Sequence, residues 1–142
     1  MPGHNGTEPV AKDELLYRRI PVSKRWYDQN GVSPEAFDPR KNETSGISFF
    51  RGKYKSIQEV AKGKSECGYY VAVLRAGDLI REGFEVVPRP NPKDPGHIEV
   101  PALTCDNRRT PEAYERKIRL ARLCVRVEGP FPPTTDRSRK SG

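Results

Sequence analysis

Arginine and serine side chains interrupt two short apolar runs, and both residue types are suited to binding a nucleotide. Arg18 and Arg19 lie in the run LLYRRI, and Ser48 lies in ISFF. A guanidinium group binds phosphate through a rigid fork of N–H donors, and a serine hydroxyl on a neighbouring strand can hold a ribose hydroxyl. One of the two arginines, together with Ser48, is therefore a candidate phosphate and ribose site. The alternative is that these are salt-bridged residues at a sheet edge.

His97 and Glu99 are the candidates for acid–base chemistry. They stand two residues apart in the segment HIEV, so in an extended chain their side chains share one face and leave Ile98 and Val100 for the other. Such a pair can act as an acid–base couple or hold a ligand, but it is also an ordinary pair on a strand face in contact with water. A catalytic role is favoured only if other polar groups converge on it.

The order of these residues resembles the arginine, serine, glutamate order of ADP-ribosyltransferase-like folds. The features that carry the resemblance are LYR on a first strand, SFF on a second strand before a short helix, and a late strand that ends in a glutamate, over about residues 15 to 103. That group includes RNA 2'-phosphotransferases and RES-type NAD-degrading toxins. The resemblance implies an NAD-handling enzyme that transfers ADP-ribose or cleaves NAD, with a toxin as one option.

The resemblance also implies a role for each candidate residue. Arg18 would grip the phosphates of NAD, the implied cofactor, and Ser48 would support the pocket for the nicotinamide ribose. Glu99 would stabilise the oxocarbenium-like centre as a catalytic residue, with His97 before it at the substrate-selecting position. The overall pattern also looks similar to a family of small bacterial proteins without an assigned activity, which implies no function.

A second interpretation is a non-enzymatic module that binds nucleic acid. The chain has 26 Lys and Arg against 19 Asp and Glu, a net charge of +7, and such a surplus favours polyanionic partners. Basic residues concentrate in the helix predicted from Thr110 to Leu123, at Arg116, Lys117, Arg119 and Arg122. Their charges could follow a phosphate backbone, and the basic tail would add to them.

A third interpretation is an interaction protein that binds a cognate protein partner. Residues 24 to 46 mix aromatic residues with proline and glycine, which predicts a long loop or short helical turns that Trp26, Tyr27 and Phe37 pin to the domain. An exposed aromatic loop near Trp26 and Phe37 would be the contact surface for the partner.

Short elements must position these residues. Apolar runs predict strands at LLYRRI, ISFF, YYVAVL and HIEV and a closing strand near Val127, with a Pro-rich connector at PRPNPKDPG. A capping box formed by Ser56 and Glu59 starts a short helix, and Thr110 with Pro111 starts the long one. In that helix, Tyr114, Ile118 and Ala121 are expected on one face. The pattern predicts an α+β fold with a small mixed, largely antiparallel sheet, short helices and long Pro-rich loops.

Composition sets the domain boundaries and the class of protein. Residues 1 to 13 and 132 to 142 lack periodic apolar content, so we expect a disordered N-terminus, one α+β domain over residues 14 to 131 and a basic disordered tail. The three cysteines are widely spaced and only two histidines occur, which predicts no metal site. Reduced thiols and the lack of an apolar run of about 18 residues predict a cytoplasmic protein without a membrane span.

Overall fold

Six of the strands form one sheet, which carries the candidate residues. The structure is a computed structural model and describes residues 6–22, 27–28, 31–63 and 66–133. In chain order its elements are β1 (Leu15–Pro21), β2 (Tyr27–Asp28), β3 (Gly31–Val32), a 3-10 helix (Pro34–Phe37), β4 (Ile47–Arg51), α1 (Ile57–Val60), β5 (Tyr69–Arg75), α2 (Ala76–Arg81), β6 (Val87–Pro88), β7 (His97–Val100), α3 (Pro111–Leu123) and β8 (Arg126–Phe131).

The strand order of this sheet is β6-β7-β4-β1-β5-β8, and its pairings within the described residues are all antiparallel. The predicted α+β fold with a largely antiparallel sheet is therefore confirmed. The capping box of Ser56 and Glu59 and the start of α3 at Thr110 are formed as well. Both helices begin where a hydroxyl accepts a hydrogen bond from a backbone N–H that the helix itself leaves unpaired.

Apolar side chains are buried on both faces of the sheet. The larger core lies on the face covered by α2 and α3, where Phe49, Leu74 and Leu120 are fully buried. A smaller cluster on the other face joins Val71 of β5 to Val60 of α1. Burial on both faces explains why β5 is a continuous apolar run instead of an alternating one.

The buried face of α3 differs from the predicted one. The residues that point into the core are Ala113, Lys117 and Leu120, whereas Tyr114 is 56% exposed. The apolar stripe is thus rotated by one residue from the predicted face. A lysine can occupy the buried stripe because its aliphatic stem packs on apolar surface while Nζ is 3.0 Å from a carboxylate oxygen of Asp38.

Arg51 ties the N-terminal segment to the sheet. Its guanidinium is fully buried and directs all its donors at residues 6 to 14: Nε and Nη2 bind the Glu14 carboxylate at 2.8 and 2.6 Å, and Nη1 and Nη2 bind the carbonyl oxygens of Gly6, Glu8 and Pro9 at 3.0 to 3.2 Å. These two bonds to a carboxylate and three bonds to carbonyl oxygens occupy all five N–H donors of Arg51. We call residues 6–14 the N-terminal latch.

Glycine allows the latch to lie close to the connector before β7. Gly6 has a φ of 93°, and a Cβ placed there would be 1.9 Å from the carbonyl oxygen of Pro95. The backbone N–H of Gly6 donates to the Tyr54 hydroxyl at 3.1 Å. Over residues 6 to 13, where composition predicts a disordered N-terminus, the buried Arg51 supplies contacts that apolar side chains do not. The disorder of this segment stays a prediction. Residues 1–5 and 134–142 lie outside the described residues.

The latch is expected to weaken in acid. A hydrogen bond from Tyr54 is the main cause that lowers the pKa of Glu8 to about 2, and Arg51 holds the pKa of Glu14 below its ordinary value despite partial burial. The unfolded chain binds protons to both groups at higher pH than the folded protein does. Stability should thus be lost as the pH falls from about 4.5 toward 2. Urea unfolding at several pH values should show a smaller acid loss for Glu8→Gln, and an equal loss would contradict this assignment.

Candidate functional site

Strands β1 and β4 pair over two residues and then separate. Their register joins Leu16 to Arg51 and Tyr17 to Phe50, whereas β1 pairs with β5 over the whole span Leu15–Pro21. Beyond Tyr17 the edges of β1 and β4 face a gap, and backbone groups there need other partners.

Charged side chains occupy this gap. The Ser48 N–H donates to Oε2 of Glu43 at 3.0 Å, and the Ser48 carbonyl accepts from Nη1 of Arg18 at 3.1 Å. On the other side, the carbonyl of Arg19 accepts from Nη2 of Arg40 at 3.0 Å. Side-chain bonds therefore replace part of the missing ladder, and they bring three arginines to one place.

Arg18 forms the floor of the gap. It is 1% exposed, its Nη1 is 3.2 Å from Oε2 of Glu43, and Nε and Nη2 donate to the carbonyl oxygens of Ala36 and Asp38. With the bond to Ser48, four of its five N–H donors have acceptors in the protein. The predicted role of Arg18 in binding NAD phosphates stays a prediction. In this structure its donors are directed at acceptors of the protein itself.

Glu43 is the counter-charge of this floor. Its carboxylate accepts from the N–H of Arg40 at 2.8 Å and from Ser48 and Arg18. Burial raises the pKa of Glu43, but the charge of Arg18 and these hydrogen bonds outweigh it and hold the pKa below its ordinary value. The carboxylate is therefore ionised at neutral pH and neutralises Arg18.

Arg19 and Arg40 provide the positive charge of the gap that is not neutralised. Neither pairs with a carboxylate in the part of the chain that the structure describes; Arg19 donates to the Lys62 carbonyl and lies over the Tyr69 ring. Two causes lower the pKa of Arg40 to about 10: its guanidinium is partly removed from water, and the positive charge of Arg18 is nearby. The side chain as a whole is exposed. Arg40 remains protonated at neutral pH, and a bound anion would offset the repulsion between its guanidinium and that of Arg19.

Ser48 and His97 are joined by a hydrogen bond. They lie on β4 and β7, and Nε2 of His97 is 2.9 Å from Oγ of Ser48. Nδ1 of His97 is 3.0 Å from the carbonyl oxygen of Arg89, which can only accept, so Nδ1 must carry the proton. In the neutral imidazole Nε2 is then the acceptor for the Ser48 hydroxyl. The ring of Phe50 packs beside the imidazole with a centroid distance of 6.1 Å.

Glu99 lies next to this pair but is engaged elsewhere. It is the cross-strand partner of Ser48, so the two side chains share a sheet face. Its carboxylate accepts a hydrogen bond from Nε of Arg89 at 3.1 Å. The structure therefore brings Glu99 beside Ser48 in the sheet, while an arginine already holds its charge.

These groups open into one cleft of about 260 Å³, which we call the gap cleft. Its lining residues are Arg18, Arg19, Arg40, Asn42, Glu43, Ser48, Phe50, Asn91, Asp94 and His97. Of the four residues predicted for an NAD site, Arg18, Ser48 and His97 line it and Glu99 does not. Asp94 is paired with Lys55, so the positive charge of Arg19 and Arg40 dominates.

The basic residues predicted to bind nucleic acid are mostly occupied by contacts within the domain. Arg116 donates to the Ala102 carbonyl at 2.9 Å, Lys117 is buried, and Arg119 donates to the Glu82 carbonyl at 3.0 Å. Arg122 is exposed. The nucleic-acid role stays a prediction, but α3 does not present these four side chains as one free stripe.

A larger cavity of about 570 Å³ lies beside the start of α3. Its lining includes Arg108 and Arg109 but also Glu35 and Asp38, and Asp38 pairs with Lys117 at 3.0 Å. Both linings contain three basic and two acidic side chains, but the lining of the larger cavity has no histidine that could act as a base beside a hydroxyl. We regard the gap cleft as the better candidate on chemistry, although it is smaller.

The aromatic loop is not the exposed surface that a protein partner would need at Phe37. Phe37 is fully buried and stacks on Phe49 with a centroid distance of 6.4 Å. It therefore pins its segment to the core, as one interpretation of the sequence predicts, and the binding of a protein partner stays a prediction. Trp26 lies outside the described residues.

Sequence reasoning missed Arg40 and Glu43. Both are in the segment before β4, which carries no periodic apolar pattern. The one available signal was the length of this loop, since long ordered loops are often functional.

In the described part of the chain, no helix has the length and apolar content that a bilayer span requires, and no three His, Cys, Asp or Glu side chains cluster as metal ligands. No protein-family model, curated protein or solved structure matches this chain.

Proposed function

We propose that the protein is an NAD-handling enzyme that binds the phosphate groups of its ligand in the gap cleft. The observation that carries the proposal is the position of Arg19 and Arg40 beside the Ser48–His97 pair, since neither arginine pairs with a carboxylate among the described residues. A fixed pair of guanidinium groups suits a diphosphate because each can bind oxygens through two parallel N–H bonds.

This proposal moves the phosphate contacts from Arg18 to its neighbours. Arg18 has its donors on protein acceptors and its charge on Glu43, so it positions the cleft. Arg19 is the other arginine of the same strand, and strand alternation puts it on the face of Ser48 and His97.

The size of the gap cleft suits part of a dinucleotide. Small-molecule pockets commonly hold about 300–1,000 Å³, and this cleft has about 260 Å³. A diphosphate with one ribose fits such a volume, and the amides of Asn42 and Asn91 at the rim can bind hydroxyl groups. The rest of the ligand would extend along the surface.

Glu99 keeps the role of stabilising a positively charged ribose only if it releases Arg89. That ion pair is on the surface, with 54% of the Arg89 side chain exposed, so it costs little to open. A bound ligand phosphate offers Arg89 another anion. Cleavage of the nicotinamide bond would therefore need the Glu99–Arg89 pair to open, whereas cleavage elsewhere in the dinucleotide would not.

Replacing Arg40 with alanine is expected to weaken NAD binding by about 10-fold to 100-fold, because a charge-assisted hydrogen bond contributes about 1.5–3 kcal/mol. Isothermal titration calorimetry on the full chain measures the change. Arg122→Ala is the matched control, since it removes an exposed arginine that does not line the cleft.

Adenosine provides the second comparison, because it lacks the phosphates that Arg19 and Arg40 are proposed to bind. Wild-type protein should bind NAD and ADP-ribose more tightly than adenosine. Equal affinities, or an equal loss in Arg40→Ala and Arg122→Ala, would refute the phosphate site.

A further inference from the structure

We propose that Ser48 and His97 act as nucleophile and general base, and that they cleave the phosphoanhydride bond of a dinucleotide bound in the gap cleft. The inference rests on the proposed function for the location of the phosphates. It assigns a covalent mechanism and a different scissile bond from the nicotinamide bond.

The first support is the direction of the hydrogen bonds. The Arg89 carbonyl, 3.0 Å from Nδ1, fixes the tautomer in which Nε2 of His97 has a free lone pair. That lone pair faces Oγ of Ser48 at 2.9 Å, within the reach of a base that removes a hydroxyl proton. Oγ has a single proton, and the geometry directs it to the imidazole.

The second support is the rigidity of both partners. Ser48 has its N–H on Glu43 and its carbonyl on Arg18, while His97 has its backbone carbonyl bound by the N–H of Arg89 at 2.9 Å. Pairing between β4 and β7 aligns the two strands. A nucleophile and a base on neighbouring strands, held by packed elements, are positioned more closely than side chains on loops.

The third support is the charge around the pair. Attack on phosphorus builds negative charge on the non-bridging oxygens, and Arg19 and Arg40 line the same cleft. Glu99, which a glycosidic reaction needs, does not line the cleft and is bound to Arg89. The environment of Ser48 thus favours reaction at phosphorus.

The reaction is balanced with water as the co-reactant. Oγ of Ser48 attacks one phosphorus, its proton passes to Nε2 of His97, the Oγ–P bond forms, and the bridging P–O bond breaks. The leaving nucleotide takes the proton from His97. Water then attacks the phosphoserine phosphorus and gives a proton to Nε2, the Oγ–P bond breaks, and Oγ recovers the proton. For NAD the products are AMP and nicotinamide mononucleotide.

A fluorophosphonate probe tests the nucleophile directly, since it forms a covalent bond with an activated serine and requires no NAD. We expect one adduct on the full chain, which peptide mass spectrometry places on Ser48. Ser48→Ala should give none. His97→Gln, whose amide can still accept a hydrogen bond but cannot take the proton, should slow labelling by at least about 100-fold. Ser45→Ala, at an exposed serine in the same segment, should label like the wild type.

Labelling of another residue, or an equal rate in wild type and His97→Gln, would overturn the nucleophile–base pair. Products from NAD test the scissile bond: AMP and nicotinamide mononucleotide support the inference, while nicotinamide and ADP-ribose, or no cleavage, overturn it. Calorimetry on Ser48→Ala keeps the two proposals apart. If this variant binds NAD but the wild type fails both tests, the chemistry is wrong and the phosphate site stands.

Discussion

Replacing Glu43 with alanine is expected to lower the free energy of unfolding by about 3–5 kcal/mol, the usual cost of leaving a buried charge without its partner. Arg18 would keep its charge at 1% exposure, and the N–H groups of Ser48 and Arg40 would lose their acceptor. Urea unfolding of wild type and variant, monitored by circular dichroism, measures the loss.

One further substitution separates charge from shape at Glu43, and a second one, on α3, is the surface control. Glu43→Gln keeps one acceptor oxygen and the side-chain volume but loses the charge, so it should lie between wild type and Glu43→Ala. Glu115→Ala removes an exposed carboxylate from α3 and should change stability by less than about 0.5 kcal/mol. A loss in Glu43→Ala no larger than in Glu115→Ala would show that the ion pair does not support the fold.

Removing both partners is not expected to restore stability. A buried ion pair can often be replaced by apolar residues without loss. Here, however, Arg18 also donates to three backbone carbonyls, and Glu43 accepts from two backbone N–H groups. A double variant such as Arg18→Met with Glu43→Met would leave those backbone carbonyl and N–H groups without hydrogen-bond partners. The pair is therefore part of the backbone hydrogen bonding of the sheet.

The elements of this fold follow from local chemistry and were accessible to sequence reasoning. Apolar runs located β1, β4, β5 and β7, and hydroxyl caps located the starts of α1 and α3. The rotation of α3 by one residue was not accessible. It depends on Lys117, whose burial requires an Asp38 carboxylate far away in the sequence.

Only part of the candidate site can be predicted from the sequence. Ser48 and His97 were both selected as candidates, but the hydrogen bond between them depends on the β4–β7 register, which no local pattern specifies. The contacts of Arg18 match the alternative interpretation, in which it forms a salt bridge, since its guanidinium pairs with Glu43. Arg40 contributes through a loop whose path is set by Glu43, so its arrival at the gap follows from tertiary structure alone.

The stability of the gap and the proposed chemistry are coupled through Ser48. Its backbone is held by the Arg18–Glu43 pair and its hydroxyl by His97. A change in Glu43 that leaves the protein folded should still displace β4 at this point, and a displacement of about 1 Å suffices to impair a positioned nucleophile. Glu43→Gln is thus expected to slow fluorophosphonate labelling in folded protein.

Replacing Arg51 with methionine is expected to release the N-terminal latch. Methionine fills much of the arginine volume but offers no donor, so the Glu14 carboxylate and the carbonyl oxygens of Gly6, Glu8 and Pro9 lose their partner. Release of the latch frees the N–H groups of Gly6, Ala11 and Glu14 from their present acceptors, so hydrogen exchange over residues 6–14 becomes fast. The loss of global stability should be below about 3–5 kcal/mol, the cost of a buried charge left without its partner, because the released Glu14 carboxylate regains water.

Hydrogen-exchange mass spectrometry on this segment decides between the latch and the disordered end that composition predicts. The wild type should protect amides in residues 6–14, and Arg51→Met should not. Arg51→Lys should be intermediate, because an ammonium group cannot form the bidentate bond to Glu14. Arg75→Met serves as the control, since it removes an exposed arginine at the end of β5. Fast exchange of the segment in the wild type would mean that the five hydrogen bonds of Arg51 do not hold it in solution. In that case the loss of stability at low pH that is expected from Glu8 would also be absent.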